Sequence, residues 1–128
     1  MAAAPPLGEF EQLVLLAVLH AGDGAYGTRI LQELRSSGGR RVSRGALYVT
    51  LARLEEKGLL HSRAGEPSPA RGGRPRRYVK VSAAGLRALR ASRATLLRLW
   101  AGLEAALGEA LPALRATRVD PAQVLRGE

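Results

Sequence analysis

Residues 40–59 read RRVSRGALYVTLARLEEKGL, and this stretch decides the fold. Ser43 is a good helix N-cap, because its hydroxyl oxygen can accept a hydrogen bond from a backbone amide of the first helical turn. Val42 precedes this cap and Leu47 follows it at the spacing of a hydrophobic staple. From Leu47 onward, leucines recur at i, i+4 and i+7 and form one apolar stripe. The stretch therefore predicts a helix that begins after Ser43 and is stopped at Gly58.

Two further helices are predicted before this one. Residues 9–21 place a row of apolar side chains on one helical face, namely Phe10, Leu13, Val14, Ala17 and Val18. Additional leucines widen that row, so the first helix is expected to be buried on two sides. A second helix is predicted from about Tyr26 to Arg35, after a glycine-rich turn at residues 22–24. Its inward residues are Ile30, Leu31 and Leu34.

Two short β-like runs, residues 59–63 and 77–81, follow the third helix. Thirteen residues rich in Gly, Pro and Arg separate them, which predicts a two-stranded hairpin with a long, mobile tip. Three short helices followed by a basic hairpin describe a winged helix-turn-helix, an α+β fold that is mainly α.

A long helix is predicted to begin at Ser82. Its apolar residues alternate steps of three and four, as in a coiled-coil seam that only Arg93 interrupts: Leu86, Leu89, Leu96, Trp100, Leu103 and Leu107. We expect a C-terminal dimerisation helix, with Leu13 and Leu16 of the first helix adding to the interface; folding back onto its own core is the alternative. The predicted division is a DNA-binding domain over residues 1–81, the dimerisation helix over 82–117 with a kink or end near Pro112, and a frayed tail over 118–128.

The positive charge is concentrated in the middle of the chain. The net charge is +9, and residues 40–80 alone hold eleven basic and three acidic residues, a net charge of +8. A basic segment of this kind is the electrostatic footprint of a phosphate-rich partner, here double-stranded DNA. The alternative is the codon bias of a GC-rich genome, since 18 Arg stand against 2 Lys.

Several function classes are unsupported by the sequence. The chain has no Cys, and His20 and His61 have no second ligand at metal-binding spacing. No P-loop, dinucleotide-binding glycine motif or nucleophile elbow is present. No apolar run approaches membrane-spanning length, and residues 1–6 do not resemble the start of a secretory signal. We expect a cytoplasmic protein that is not an enzyme and uses no cofactor and no metal.

The third helix is predicted to carry the base contacts, because helix-turn-helix proteins meet base edges with the N-terminal half of this helix. Gly45 allows the backbone to approach the groove, and Val49 is suited to a thymine methyl group. An ordinary surface helix is the alternative, against which an interior glycine costs about 1 kcal/mol. The residues predicted to contact DNA on these helices and the connection between them are Arg29, Arg40, Arg41, Ser43, Arg44, Gly45, Tyr48, Val49, Thr50 and Arg53.

The hairpin tip reads RGGRPRR over residues 71–77. Glycine permits close approach, proline stiffens an extended path, and arginine favours the negative potential of a narrow A·T minor groove. Such a tract is also common in disordered linkers, but its position after a recognition helix favours a DNA-contacting wing. The wing residues predicted to contact DNA are Arg71, Arg74, Arg76 and Arg77.

Four stretches of the chain resemble the PadR family of bacterial transcriptional regulators. They are LVLLAVL at residues 13–19, AYG at 25–27 followed by Ile30-Leu31, GALYVTLARLEEKGL at 45–59, and GRPRRYV at 73–79 with VSAAG at 81–85. The resemblance covers about residues 8–107 and is most specific in the third stretch. It departs from the family at Val49, where a proline is usual, and at residues 82–85, where a threonine with acidic residues is usual.

The resemblance implies a homodimeric repressor whose last helix pairs two subunits over a roughly palindromic operator. It implies that Tyr26, Tyr48 and the wing arginines touch DNA. Some relatives bind a small aromatic effector between the last helices and the DNA-binding domains, and Trp100 would then line that pocket; the alternative places Trp100 in the core of the dimer seam. Two other functions remain open at this point, a non-specific architectural DNA-binding protein and a winged-helix protein-interaction module.

Overall fold

The computed structural model of the chain describes the backbone of residues 7–110 and the side chains of residues 7–107. Three helices come first, α1 (Glu9–Ala21), α2 (Gly27–Ser36) and α3 (Arg44–Glu56). An antiparallel hairpin of β1 (Leu60–Ala64) and β2 (Arg77–Val81) follows, and then α4 (Ala83–Trp100) and α5 (Leu103–Ala110). This order confirms the predicted winged helix-turn-helix. No helix among the described residues is both long enough and apolar enough to cross a membrane.

Helix α3 begins and ends where the local sequence requires. Ser43 has an extended backbone, and its Oγ accepts a hydrogen bond from the Ala46 amide at 3.1 Å. Val42 and Leu47 both pack in the hydrophobic core, as the staple spacing predicts. Beyond the helix, Gly58 has a φ of 78°, a left-handed conformation that glycine adopts without strain. This turn redirects the chain into β1.

The core between the three helices and the hairpin is aliphatic. Its largest fully buried side chains are Leu15, Ile30, Leu34, Leu47, Leu54, Leu60 and Val14. On α1 the inward face is centred on Val14, Leu15 and Val18, whereas Phe10 and Leu13 lie half-buried at its edge. The Val79 amide donates to the Ala25 carbonyl at 2.9 Å, so β2 is attached to the turn that precedes α2.

A partly buried ion pair joins the first helix to the residue that directly follows the third helix. The Lys57 Nζ donates to Glu11 Oε2 at 2.7 Å, and the Glu11 side chain is only 11% exposed. The Gly8 amide donates to the other carboxylate oxygen at 3.0 Å. The hydrogen bond from Lys57 holds the pKa of Glu11 below its usual value, and this outweighs the opposing effect of burial. The pair thus fixes the start of α1 against the end of α3.

The start of α4 is attached to the end of α3. Ser82 Oγ donates to the Gly58 carbonyl at 2.7 Å and accepts from the Gly85 amide at 3.0 Å, while the Ser82 amide donates to the Leu59 carbonyl at 3.0 Å. Gly85 is buried in this contact, where a side-chain carbon would collide with the Leu59 carbonyl and with Val81. Ser82 is therefore both the cap of α4 and a link to the loop after α3.

The last helix is interrupted earlier than the sequence predicts. Helix α4 ends at Trp100, Gly102 has a φ of 82°, and α5 begins at Leu103. A left-handed glycine is a common terminator of α-helices, because it lacks the side chain that would strain this conformation. Residues 7–92 form one compact unit, and residues 93–110 belong to a second. The expected kink at Pro112 and the expected frayed tail over 118–128 lie outside the described residues.

Candidate nucleic-acid interface

One face of α3 is left uncovered by the rest of the described chain. The Val49 side chain is 58% exposed, and that of Tyr48 is 47% exposed. At Gly45, a side-chain carbon would meet no other described atom within 4 Å. Gly45 and Val49 lie on the side of the helix opposite Leu47, Leu51 and Leu54, and Tyr48 flanks that side. The helix therefore offers a small, partly apolar surface near its N-terminal half.

Thr50 does not belong to that surface. Its side chain is only 5% exposed, because it shares the core-facing side of α3 with Leu47, Leu51 and Leu54 at helical spacing. The prediction that Thr50 contacts DNA is therefore corrected, because a buried side chain does not reach a partner outside the chain. Tyr48, which is also predicted to contact DNA, remains accessible.

The N-terminus of α2 lies directly against the start of α3. The Tyr48 hydroxyl approaches Gly27 so closely that a side chain at Gly27 would collide with it. Arg44 donates from its guanidinium to Thr28 Oγ1 at 3.1 Å. These two contacts set the orientation of the first turn of α3 relative to α2, so the AYG stretch has a structural role beside any contact with DNA.

Four side chains stack where the hairpin meets α2. The Arg76 guanidinium lies 4.1 Å above the centre of the Tyr26 ring, and the Tyr26 and Tyr78 rings meet edge to face at 5.8 Å. The Arg63 guanidinium lies 4.8 Å above the Tyr78 ring. Such cation–π and aromatic contacts are each worth about 0.5–1.5 kcal/mol. Tyr26 and Arg76, both expected at the DNA, are thus in contact with each other.

The wing tip has a defined backbone. A short 3-10 turn at Pro69–Arg71 is followed by Gly72 and Gly73 with φ values of 68° and 82°. The Arg71 guanidinium donates to the carbonyls of Glu66 and Arg74 at 3.2 and 3.3 Å, so it is engaged within the tip. Arg74 and Arg77 are exposed. The hairpin therefore presents two exposed arginines, Arg74 at the tip and Arg77 at the start of β2, and the hydrogen bonds of Arg71 hold the tip together.

The remaining predicted DNA-contacting residues divide into free and engaged side chains. Arg29, Arg41 and Arg53 are exposed. Arg40 pairs with Glu9 at 3.1 Å on the surface, and Ser43 caps α3. Which of these side chains contact DNA stays a prediction.

The predicted dimer residues are largely uncovered. In residues 93–107 the exposed apolar residues include Leu96, Trp100, Leu103 and Leu107, whose exposures lie between 43% and 49%. Leu16 and Leu86 are also exposed, whereas Leu13 and Leu89 pack half-buried at the edge of the core. The proposed effector role of Trp100 is untested by this arrangement. In the described part of the chain, no group of His, Asp or Glu residues is arranged to hold a metal ion.

Three helices, a capped third helix with a free outer face and a basic two-stranded wing define the chain as a winged helix-turn-helix protein. Comparison with protein families matches residues 15–91, more than half of the chain, to the transcriptional regulator PadR-like family. The chain therefore belongs to this family of DNA-binding transcriptional regulators.

Solved structures support the same assignment. A PadR family transcriptional regulator from Eggerthella lenta is 31% identical over 77% of this chain and 86% of its own, with a TM-score of 0.59. A PadR-like transcription factor from Bacteroides fragilis is 27% identical over 74% and 86% of the two chains, with a TM-score of 0.61. A PadR-like regulator from Bacillus cereus, 22% identical over 80% and 90% with a TM-score of 0.57, shares the fold. A sequence comparison with curated proteins gave no match.

Proposed function

We propose that this protein is a sequence-specific transcriptional repressor that acts as a homodimer in the bacterial cytoplasm. Each subunit places α3 in the major groove of one half of a pseudo-palindromic operator. The mechanism is steric, because an occupied operator excludes the transcription machinery until the dimer geometry shifts.

The outer face of α3 supports the placement in the major groove. Val49 is 58% exposed although it is apolar, and Gly45 leaves the backbone open to close approach. A thymine methyl group is a suitable partner for an exposed valine, and guanine O6 and N7 accept from Arg44 or Arg53. The proposal rests mainly on this observation: Val49 is apolar yet exposed, it lies one helical turn from the open Gly45, and both residues belong to the basic segment.

The wing supports a second contact, in the minor groove. Arg74 and Arg77 are exposed at the hairpin, and the stack of Arg76 on Tyr26 fixes the base of the hairpin beside α2. Arginine inserted into a narrow minor groove gains from the enhanced negative potential of A·T tracts. The wing therefore adds a preference for A·T-rich sequence beside the major-groove site.

The second unit of the chain supports the homodimer. Leu96, Leu99 and Trp100 of α4 are 49%, 69% and 45% exposed, and α5 adds two further exposed leucines. A contiguous exposed apolar surface marks an interaction site in a water-soluble protein. Pairing of identical surfaces about a two-fold axis is the commonest way to cover it, and it matches the symmetry of a palindromic operator.

Selection of bound fragments from the native genome tests the proposal. We expect a small set of fragments that share an inverted repeat, with half-sites about one helical turn apart or a multiple of it. Affinity for the selected site should exceed that for scrambled DNA by at least about a thousandfold, and it should fall steeply with salt. Equal affinity for scrambled DNA would instead identify an architectural binder, and weak binding with little salt response would identify a protein-interaction module.

The Arg74→Ala variant tests the wing. It should bind operators with A·T-rich flanks more weakly, with a smaller loss on G·C-rich flanks, because the wider minor groove of G·C sequence attracts arginine less. Arg87→Ala is the matched control, since Arg87 is an exposed arginine on α4 outside the proposed contact surface. Equal losses on both flanks would show that Arg74 does not enter the minor groove.

A further inference from the structure

A cavity of about 440 Å³ lies in the angle between α2 and the segment that leads into α3. One wall is a face of α2 that includes Thr28, Gln32 and Arg35. The other wall is the connecting segment of residues 40–43 together with Arg44, the first residue of α3. Its volume falls within the range of sites that hold small-molecule ligands.

Four arginines line this cavity, and no acidic residue does: Arg35, Arg40, Arg41 and Arg44. Among residues 7–107, Arg35 and Arg41 form no ion pair. Arg40 has a partner in Glu9, but both side chains are well exposed, and an exposed pair of this kind attracts weakly in water. Arg44 is held by the neutral Thr28 hydroxyl. The cavity thus gathers positive charge that the described residues compensate only at Arg40, and there weakly.

The remaining lining groups fit an anion that also carries an uncharged part. Ser43 Oγ accepts from the Ala46 amide, which leaves its own hydrogen free to donate, and Gln32 is exposed at the rim. Leu31 and Val42 contribute half-buried apolar wall. Guanidinium groups bind phosphate oxygens through paired hydrogen bonds, and the adjacent N-terminus of the 13-residue helix α3 adds favourable polarity.

We propose that this cavity binds a phosphate group. Two sources carry that chemistry: a small soluble phosphate compound, or the DNA backbone next to the recognition site. Arg44 lines the cavity and also lies at the start of α3, the helix proposed to contact the bases, so a soluble phosphate compound bound there would compete with DNA. That competition and the DNA-backbone source both rest on the proposed function, whereas the binding of a soluble phosphate compound does not.

Titration of the full chain with inorganic pyrophosphate, without DNA and at constant ionic strength, tests the site. We expect saturable binding by calorimetry, with amide NMR shifts concentrated in residues 28–35 and 40–44. Arg35→Ala combined with Arg41→Ala should weaken binding at least about tenfold, because two charge-assisted contacts are lost. Arg87→Ala combined with Arg90→Ala is the matched control, since it removes the same charge from exposed positions on α4 and should bind as the wild type does. Shifts that follow total charge, with equal losses in both double variants, would overturn the site.

Two DNA measurements then separate the sources, using the operator returned by genomic selection. If a soluble phosphate compound is the ligand, pyrophosphate weakens operator binding by the wild type but not by the Arg35→Ala, Arg41→Ala variant. If the DNA backbone fills the cavity, replacing one flanking phosphate by an uncharged methylphosphonate weakens binding by the wild type and leaves the variant unchanged. The cavity proposal fails if pyrophosphate does not bind and the methylphosphonate substitution affects the variant and the wild type equally. Selection of an operator by the wild type would still support the proposed repressor function in that case, so the cavity proposal and the repressor proposal fail separately.

Discussion

Gly45 occupies the first turn of α3, where alanine would normally be the better residue. An added side-chain carbon meets no described atom within 4 Å, so packing does not require a glycine here. Close approach to DNA, as proposed above, would account for it. The same test gives the opposite answer at Gly85, where a side-chain carbon collides with the Leu59 carbonyl. Packing within the described chain therefore excludes a larger residue at Gly85 but not at Gly45.

The Gly45→Ala variant separates stability from binding. Its free energy of unfolding should rise by up to about 1 kcal/mol, because alanine is the better helix former. Its operator affinity should fall, because the methyl group holds the backbone away from the base edges. Chemical denaturation and a DNA titration measure the two effects. Thr50→Val, on the buried side of the same helix, is the control and should leave operator affinity unchanged. A Gly45→Ala protein that gains stability and binds as tightly as the wild type would remove Gly45 from the interface.

Sequence reasoning at the scale of single residues was reliable for backbone signals. Ser43 caps α3 and Gly58 follows its end, because both effects depend on residues within one turn. It was wrong for Thr50, which was predicted to contact DNA. Thr50 lies three residues after Leu47 and is buried on the same side of α3, and the leucine pattern alone does not show that this side also includes Thr50. Sequence reasoning also missed that Arg71 bonds to carbonyls of its own loop. The acceptors that an arginine side chain can reach depend on the conformation of the loop, and the amino-acid composition of the loop does not determine that conformation.

At the scale of elements, the Glu11–Lys57 pair is the contact that sequence reasoning missed most completely. The two residues are 46 positions apart, so no local pattern joins them. A signal was nonetheless present, because Glu11 places a charge next to the apolar face of α1, and a charge so placed requires a partner. The partner is identified only once α3 is positioned against α1.

The Lys57→Met variant should lower the free energy of unfolding by about 1–2 kcal/mol near neutral pH, because it leaves the Glu11 carboxylate without its main donor. The pKa of Glu11 is lowered in the folded protein, so the stabilisation is complete above the usual value of 4.5. As pH falls below that value, the unfolded chain takes up the proton first and the stabilisation is lost. Urea denaturation of both proteins at neutral and acidic pH measures this.

Glu9→Gln provides the control for that pH dependence. It removes an ion pair whose two side chains are 76% and 46% exposed, and it should change stability by less than about 1 kcal/mol at any pH. The assignment of the pH dependence to Glu11 would be contradicted by a Lys57→Met deficit of the same size in acid as at neutral pH.

The C-terminal helix shows where periodicity misleads at this scale. The steps of three and four continue from Leu86 to Leu107, with Arg93 as the one polar position, yet α4 ends at Trp100 and α5 begins at Leu103. Gly102 is the local signal, because a glycine in the left-handed conformation ends a helix whatever the surrounding apolar spacing. An isolated glycine is tolerated inside many helices, so sequence alone did not decide between the two outcomes.

At the scale of the whole molecule, assembly is the property on which the proposed function depends. Leu103 is 49% exposed on α5 and belongs to the predicted dimer seam. Leu103→Asp should yield monomers at micromolar concentration with little operator affinity, because a charge in an apolar interface loses its hydration. Analytical ultracentrifugation measures the oligomeric state. Ala105→Asp introduces the same charge into the same helix outside the seam and should remain dimeric. A fully dimeric Leu103→Asp protein would exclude α5 from the interface.

At this scale the fold class could be predicted from the sequence. Which basic residues are exposed, which stack on an aromatic ring and which line the cavity could not be predicted. The net charge of +8 over residues 40–80 indicated a phosphate-rich partner before any geometry was known. Within that segment the structure separates the exposed Arg74 from Arg76, which stacks on Tyr26. It also gathers Arg35, from outside the segment, with Arg41 around one cavity. These groupings arise from tertiary packing, and a count of charges along the sequence does not show them.

The attachment of Ser82 to Gly58 and Leu59 couples the first turn of α4 to the residues directly after α3. A side-chain carbon at Gly85 would collide with the Leu59 carbonyl, so the two segments have little room to slide past each other. A displacement of the first turn of α4 would therefore be passed to the exit of α3 through a single serine.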